Sequence, residues 1–241
     1  GKPRYDGTIN LEAQIWALLA DTFDSGLSRA TLSDAIFQKL DEPSAIGATL
    51  TPGAQVWPAI SAPLTAGYAV TDPERAFAHF RRNSMAAHAR AFPENWYGIW
   101  SGPDGVSSKS GWAWKSQVTP MTDFPVQNAN YHTMPIYAAL KIAGVDATAR
   151  GLRISPRVPS RNFALETRLV ELRQAGSTLR GRYRPENGAP RELELVAPEG
   201  EHIVSARVNG APVPVPGNGT RMLLTVLAGA LEFEVESEKL P

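Results

Sequence analysis

The chain has 241 residues, 24 basic and 24 acidic side chains and no cysteine, so its formal net charge is zero. That balance offers no field for nucleic acid or an anionic membrane surface, and the missing thiols exclude disulfides and cysteine-ligated zinc. No run of about 18 apolar residues is present to span a bilayer. The opening GKPRYDGTIN has neither the apolar core of a signal peptide nor an initiator methionine. The expectation is therefore a chain that continues upstream, in the cytoplasm, or in the periplasm if a leader has been lost.

In chain order, residues 9–23 (INLEAQIWALLADTF) read as a helix that is apolar on most sides, hence well buried, with Ile9, Ala13, Trp16 and Ala20 on one face. Glu12 and Gln14 interrupt it, and a buried Glu12 requires a partner. A shorter helix is predicted over 29–40. The segment AQVWPAISAPLTAGY reads as a loop, since Trp57 follows a glycine-containing stretch and precedes a proline. Thr71-Asp72-Pro73-Glu74 is a helix start, with Asp72 as cap and Pro73 in the first position. The run to Ala91 then carries Phe77, Phe80, Ser84, His88 and Ala91 on one stripe. His79 and His88 read as structural, because no second histidine stands at ligand spacing, and no metal site or cofactor is implied.

Residues 92–132 hold Trp96, Trp100, Trp112 and Trp114, four of the chain's six tryptophans, together with Tyr97. They alternate with Gly, Ser, Pro, Asn and the aspartates Asp104 and Asp123 rather than with an apolar period. Indole faces stack on the C–H face of a sugar ring, while Asp, Asn and Gln hold its hydroxyls. The competing reading is an aromatic loop that plugs the end of a helical domain. Asp104 lies in Gly-Pro-Asp-Gly, which suits a turn equally well, and Asp123 suits a turn cap. Gln127, Asn128 and His132 are the polar candidates for substrate contact. A further helix is predicted over 134–143, stopped at Gly144 in a left-handed conformation.

Beyond Gly151 the apolar period becomes two: Phe163, Leu165, Thr167, Leu169 and Glu171; Leu193 and Leu195; Val204, Ala206 and Val208; Leu231, Phe233 and Val235. Asn209-Gly210 signals a tight hairpin, and Glu186-Asn187-Gly188 another turn. Some seven short strands of this kind predict an antiparallel sandwich. Its aromatic residues are only Phe163, Tyr183 and Phe233, so it reads as a structural buttress and not a carbohydrate-binding face. The fold class predicted is α+β, with domains over 1–150 and 151–241.

INLEAQIWALLA, AQVWPAISAPLTAGY, NWYGIWSGPD and ALKIAGVDATARGLRISPRVPS resemble the C-terminal part of glycoside hydrolase family 94, the cellobiose phosphorylase-like enzymes, and related (α/α)6-barrel glycosidases. The resemblance runs along the whole chain, and it implies that the loop holding Trp57 reaches the catalytic pocket, with Trp57 as a stacking platform. It implies that 1–150 are the last helices of an incomplete (α/α)6 toroid and 151–241 its C-terminal sandwich. A closed barrel of about twelve helices needs roughly 350 residues. The N-terminal part of the same protein, or a second chain, would then complete it, and homo-oligomers are one way to do so. The family's proton-donating acid falls upstream of the helix matching residues 9–20, outside this chain. Phosphorylases of the group carry a Thr-Gly turn and a histidine for inorganic phosphate; TDFPVQNANYHTMPIYAAL keeps His132 but no such turn. Between 92 and 132 the cations are Lys109 and Lys115, without arginine. Hydrolysis of an oligosaccharide with inversion is thus preferred to phosphorolysis, with Asp104 or Asp123 as the base 6.5–9.5 Å from the acid. A non-catalytic carbohydrate-binding or scaffold subunit is the remaining alternative.

Overall fold

The computed structural model describes residues 9–20, 28–95, 105–111, 129–185, 191–227 and 229–240, with the backbone alone for 95 and 129–132. Its fold is α+β: six α-helices among the described residues, then sheets that are antiparallel but for one strand pair. Contacts divide it into two compact units, 1–139 and 140–241. No helix among the described residues is long and apolar enough to cross a membrane.

In the first unit α1 (Leu11–Ala20) buries Leu11, Ile15 and Leu18. The helix expected to be buried on most sides is open on one: Ala13, Trp16 and Ala20 are exposed, Trp16 by 56%, as is Glu12. Apolar residues around the whole circumference leave the inward face undetermined by pattern alone. Next, α2 (Arg29–Ile36) is capped by Ser28 Oγ, which accepts from Thr31 N at 3.0 Å. The helix predicted to run to residue 40 instead widens into a π turn over Phe37–Asp41, closed by Glu42 N donating to Phe37 O.

The segment read as a loop is α3 (Pro58–Thr71), and ten of its fourteen residues are buried. Pro63 lies inside it and Gly67 abuts Leu18, where a Cβ would come within 3.0 Å of Leu18 Cδ1. Pro63 in the helix interior disfavours it locally by about 3 kcal/mol and Gly67 by about 1, whereas Pro58 stands at the first position, where proline is tolerated. Burial of Leu64 and Tyr68, both 0% exposed, outweighs them. Asp72 caps α4 (Pro73–Arg82) as predicted, its carboxylate accepting from Arg75 N at 2.9 Å. The expected single stripe to Ala91 is broken at Asn83: Ser84 caps a separate α5 (Met85–Ala91). Two short strands, β1 (Gln55–Val56) and β2 (Val106–Ser107), pair antiparallel. The last helix, α6 (Ala129–Ile142), begins five residues earlier than predicted.

The second unit contains β3 (Val145–Ala147), β4 (Gly151–Ile154), β5 (Asn162–Glu166), β6 (Val170–Ala175) and β7 (Thr178–Tyr183). They are followed by β8 (Arg191–Val196), β9 (Glu201–Val208), β10 (Ala211–Pro212), β11 (Arg221–Val226) and β12 (Leu231–Lys239). One sheet has the order β10-β9-β12-β7-β6-β5, the other β11-β8-β4-β3, with β4 and β8 parallel. Leu193, Leu195, Ile154 and Met222 of the smaller sheet share a core with Leu172, Leu179, Phe233 and Val235 of the larger. From Gly151 onward nine strands stand against the seven expected, one of them concealed by a reversal within the alternation over 163–171: Thr167 and Leu169 lie in the turn between β5 and β6. The alternation predicted for Val204, Ala206 and Val208 holds at Ala206 and Val208 and fails at Val204. A bulge opposite Glu236 and Ser237 leaves Val204 out of register and exposed, so Ile203 and Ala206 both face inward. Asn209 (φ 48°) and Gly210 (φ 80°) form the expected hairpin between β9 and β10. The turn at Glu186-Asn187-Gly188 lies outside the described residues.

Gly144 has φ +79°, and a Cβ there would lie 1.8 Å from the Ser155 carbonyl oxygen. Asp146 receives Arg157 Nη2 at 2.9 Å as well as Lys141 Nζ. Burial alone would raise its pKa, but these two cations hold it below the usual carboxylate range. Gly144→Ala should destabilise the second unit by at least about 2 kcal/mol. Gly176→Ala, where φ is +60° but nothing stands within 4 Å, should cost only about 1 kcal/mol. Urea unfolding followed by circular dichroism separates the two.

Candidate functional site

Trp57 is the predicted site residue whose surroundings are described. It occupies the N-cap position of α3, with φ −106° and ψ 104°, and its indole Nε1 is shielded from solvent without a hydrogen-bond partner. The strand just before it pairs across the chain: Gln55 faces Ser107 and Val56 faces Val106. Ser108 Oγ donates to Ala54 O at 2.9 Å and reinforces the ladder. Below it Ile46, Val56 and Val106 form a small apolar core with Phe92 against it. Gly111 (φ +68°) approaches Phe92 so closely that a Cβ would lie 2.3 Å from its ring, and His88 Nε2 faces Gly111 O at 3.4 Å.

The tryptophan-rich segment is thus held where it enters, at Phe92, and where part of it returns, at residues 105–111. Trp96, Tyr97, Trp100, Asp104, Asp123, Gln127 and Asn128 lie outside the described residues. So does the side chain of His132, whose backbone is in the first turns of α6. The structure therefore brings Trp57 beside the strand that begins two residues after Asp104.

A buried polar network fixes the start of α3. His79 of α4 is fully buried; its Nε2 is 3.1 Å from Ser61 Oγ and its Nδ1 is 2.9 Å from Thr65 Oγ1. Ser61 Oγ accepts from Ala48 N at 3.0 Å, and Asn83 Nδ2 donates to the Pro58 carbonyl at 3.2 Å. Asp41, delivered by the π turn and also fully buried, lies 3.8 Å from His79 Nε2. Arg82 Nη2 approaches Asp41 Oδ1 at 2.7 Å, an ion pair of poor hydrogen-bond geometry, since neither carboxylate oxygen has a hydrogen-bond partner. Arg82 Nη1 also donates to the carbonyls of Asp41 and Ser44. Burial, and after it the Asp41 charge, push the Tyr68 hydroxyl well above the usual phenol range. Ser61, His79 and Asp41 are no nucleophilic triad: the serine and the carboxylate face the same ring nitrogen and all three are sealed from solvent.

Sequence reasoning missed Trp16. It lines a cavity of about 220 Å³ with Glu12, Ile15, Ala59, Ile60, Pro63 and Met134, against the first turns of the helix that Trp57 introduces. Glu12, expected to be buried, stands exposed one turn before it. An indole four residues after a carboxylate, on a helix with little other polarity, was the available signal.

No family model and no curated protein matches the chain. Among solved structures, an α-L-rhamnosidase from Dictyoglumus thermophilum is similar at 10% identity and a TM-score of 0.50, over 95% of this chain and 25% of the rhamnosidase. A GH127 β-L-arabinofuranosidase from Geobacillus stearothermophilus T6 aligns at 12% identity and a TM-score of 0.31, over 93% of this chain and 40% of that one. The chain thus spans a quarter of the rhamnosidase's length and shares the fold of that part of a glycosidase. None of these matches singles out family 94.

Burial holds the pKa of both His79 and His88 below the usual imidazole value, against the opposing pull of Asp41 on the first and the Gly111 carbonyl on the second. Unfolded histidines take up protons near pH 6.5 and these two only below it, so stability is complete above about pH 6.5 and falls as the pH drops through the folded values. Urea midpoints read by tryptophan fluorescence should decline from pH 7 to pH 5. His79→Gln should flatten that slope while costing about 1–3 kcal/mol at pH 7, because Ser61 and Thr65 lose a buried partner.

Proposed function

We propose that this chain supplies one side of the active site of an inverting glycoside hydrolase acting on an oligosaccharide. Trp57, Trp96, Tyr97 and Trp100 stack on sugar faces, and Gln127, Asn128 and His132 hold hydroxyls. Asp104 or Asp123 takes a proton from water as its oxygen attacks the anomeric carbon. The glycosidic C–O bond breaks on the opposite face, and an acid from a segment outside these 241 residues protonates the departing oxygen. The observation that carries the reading is the β1–β2 ladder, which joins Trp57 to the strand following Asp104. The share of the rhamnosidase that is matched supports a piece of a larger enzyme. Exposed Trp16 and Ile136 are apolar surface that a completing segment, from the same protein or a second chain, would cover.

In the completed enzyme, Asp→Asn at the true base should slow turnover by about 10²–10⁴ with substrate binding nearly intact. Trp57→Ala should raise KM about tenfold with a smaller effect on kcat, since stacking is lost in ground and transition states alike. Steady-state kinetics of Asp104→Asn, Asp123→Asn and Trp57→Ala test both. Full activity in both aspartate variants removes the base assignment. Turnover that requires inorganic phosphate and yields a sugar 1-phosphate establishes phosphorolysis instead.

A further inference from the structure

The outer face of the larger sheet carries a charge pattern that packing does not require. The inward residues of β6, β7 and β12 are Leu172, Leu179 and Phe233, all in the core. Their outward neighbours form two rows across the strands. Register sets Ala164, Arg173, Arg180, Glu234 and Arg207 side by side in the first row. Glu166, Glu171, Arg182 and Glu232 make the second. Between them runs a trough of about 510 Å³, with Ala164 and Gly210 also in its lining.

The cations in the first row are not equivalent. Arg180 is paired with Glu234 at 2.5 Å. Arg173 is exposed and has no ion pair among the described residues, and Arg207 donates to the Gly210 carbonyl at 3.1 Å but has no carboxylate partner among them. These two stand at the ends of the row, three strand spacings or roughly 14 Å apart. Each presents a planar fork of donors that matches a carboxylate. The second row offers the complementary chemistry: Glu166, Glu171 and Glu232 are acceptors, suited to hydroxyl donors, with one oxygen of Glu171 taken by Arg184 at 2.9 Å. A dense polyanion would lay its charges on those glutamates. A chain of hydroxylated rings with widely spaced carboxylates would meet arginine at its charges and glutamate at its hydroxyls.

We propose that this trough binds an acidic oligosaccharide, one whose charge is carried by uronate carboxylates. Arg173 and Arg207 hold the carboxylates, and the Glu166, Glu171 and Glu232 row accepts from the ring hydroxyls. The Arg180–Glu234 pair between them is exposed, and the half-buried Arg182 lies 3.7 Å from Glu232 with its Nε free of any hydrogen bond, so a ligand carboxylate exchanges for a side-chain one at small cost. The site lies wholly on the second unit and is independent of the catalytic reading.

The test is calorimetric titration of the 241-residue chain with trigalacturonate, its methyl ester, short poly-glutamate and inorganic phosphate at equal ionic strength. Trigalacturonate should bind and the uncharged ester should not. Arg173→Gln with Arg207→Gln should weaken binding by about tenfold or more, while Arg150→Gln, an exposed arginine beside β4, should leave it unchanged. Unaltered circular dichroism establishes that each variant is folded. Absence of binding, equal binding of the ester, or equal loss in Arg150→Gln overturns the site. Equal affinity for poly-glutamate or phosphate overturns its assignment to a sugar acid.

Discussion

Asp41 is sealed from water, and most of the helical unit is arranged around that fact. Taking a carboxylate out of water costs several kcal/mol unless cations and donors replace its hydration. The replacement comes from Arg82, with His79 close by, both on α4. His79 in turn needs Ser61 and Thr65 of α3. Arg82 bonds the carbonyls of Asp41 and Ser44, at and just beyond the end of the π turn that carries Asp41. α3, α4 and the π turn therefore cannot shift independently. Trp57 heads α3, and its place follows from theirs.

The same coupling explains what could and could not be read from residues alone. The cap at Asp72, the stop at Gly144 and the hairpin at Asn209-Gly210 each depend on a handful of neighbouring atoms, and all were legible. α3 was not, because Pro63 and Gly67 argue locally against a helix, and only its burial between other helices reverses the sign. The π turn leaves no periodic trace that separates it from an ordinary helix end. The bulge at Val204 is set by its partner strand β12, some thirty residues away, and no pattern within β9 reveals it. For the candidate site, the ladder between β1 and β2 was invisible, since two-residue strands carry no periodicity. Trp16 was misplaced because a helix apolar all round does not declare which side meets water.

Each unit takes one carboxylate out of water: Asp41 in the first, beside the partly exposed Arg82, and Glu201 in the second, held by Arg161 and Ser237. On the sandwich, Arg150–Glu192, Arg153–Glu194, Arg180–Glu234 and Arg184–Glu171 are solvent-facing cross-strand pairs. Each is worth little to stability. Their service is to keep a broad sheet surface soluble while leaving its cations available for exchange.

The parallel pairing of β4 with β8 has a consequence for the order of events during synthesis. Arg153 meets Glu194 across a separation of 41 residues, and β8 stands between β4 and β11 in its sheet. When β3 and β4 leave the ribosome they can form a hairpin with each other, but the central strand of their sheet does not yet exist. The β5–β6–β7 meander is complete sooner, its strands being joined by short turns. Local contacts form before distant ones repay the entropy of closing a long loop. The nascent sandwich therefore passes through a stage in which its larger sheet is partly assembled and an apolar edge of the smaller one waits uncovered, the stage at which such a chain is most exposed to a chaperone or to self-association.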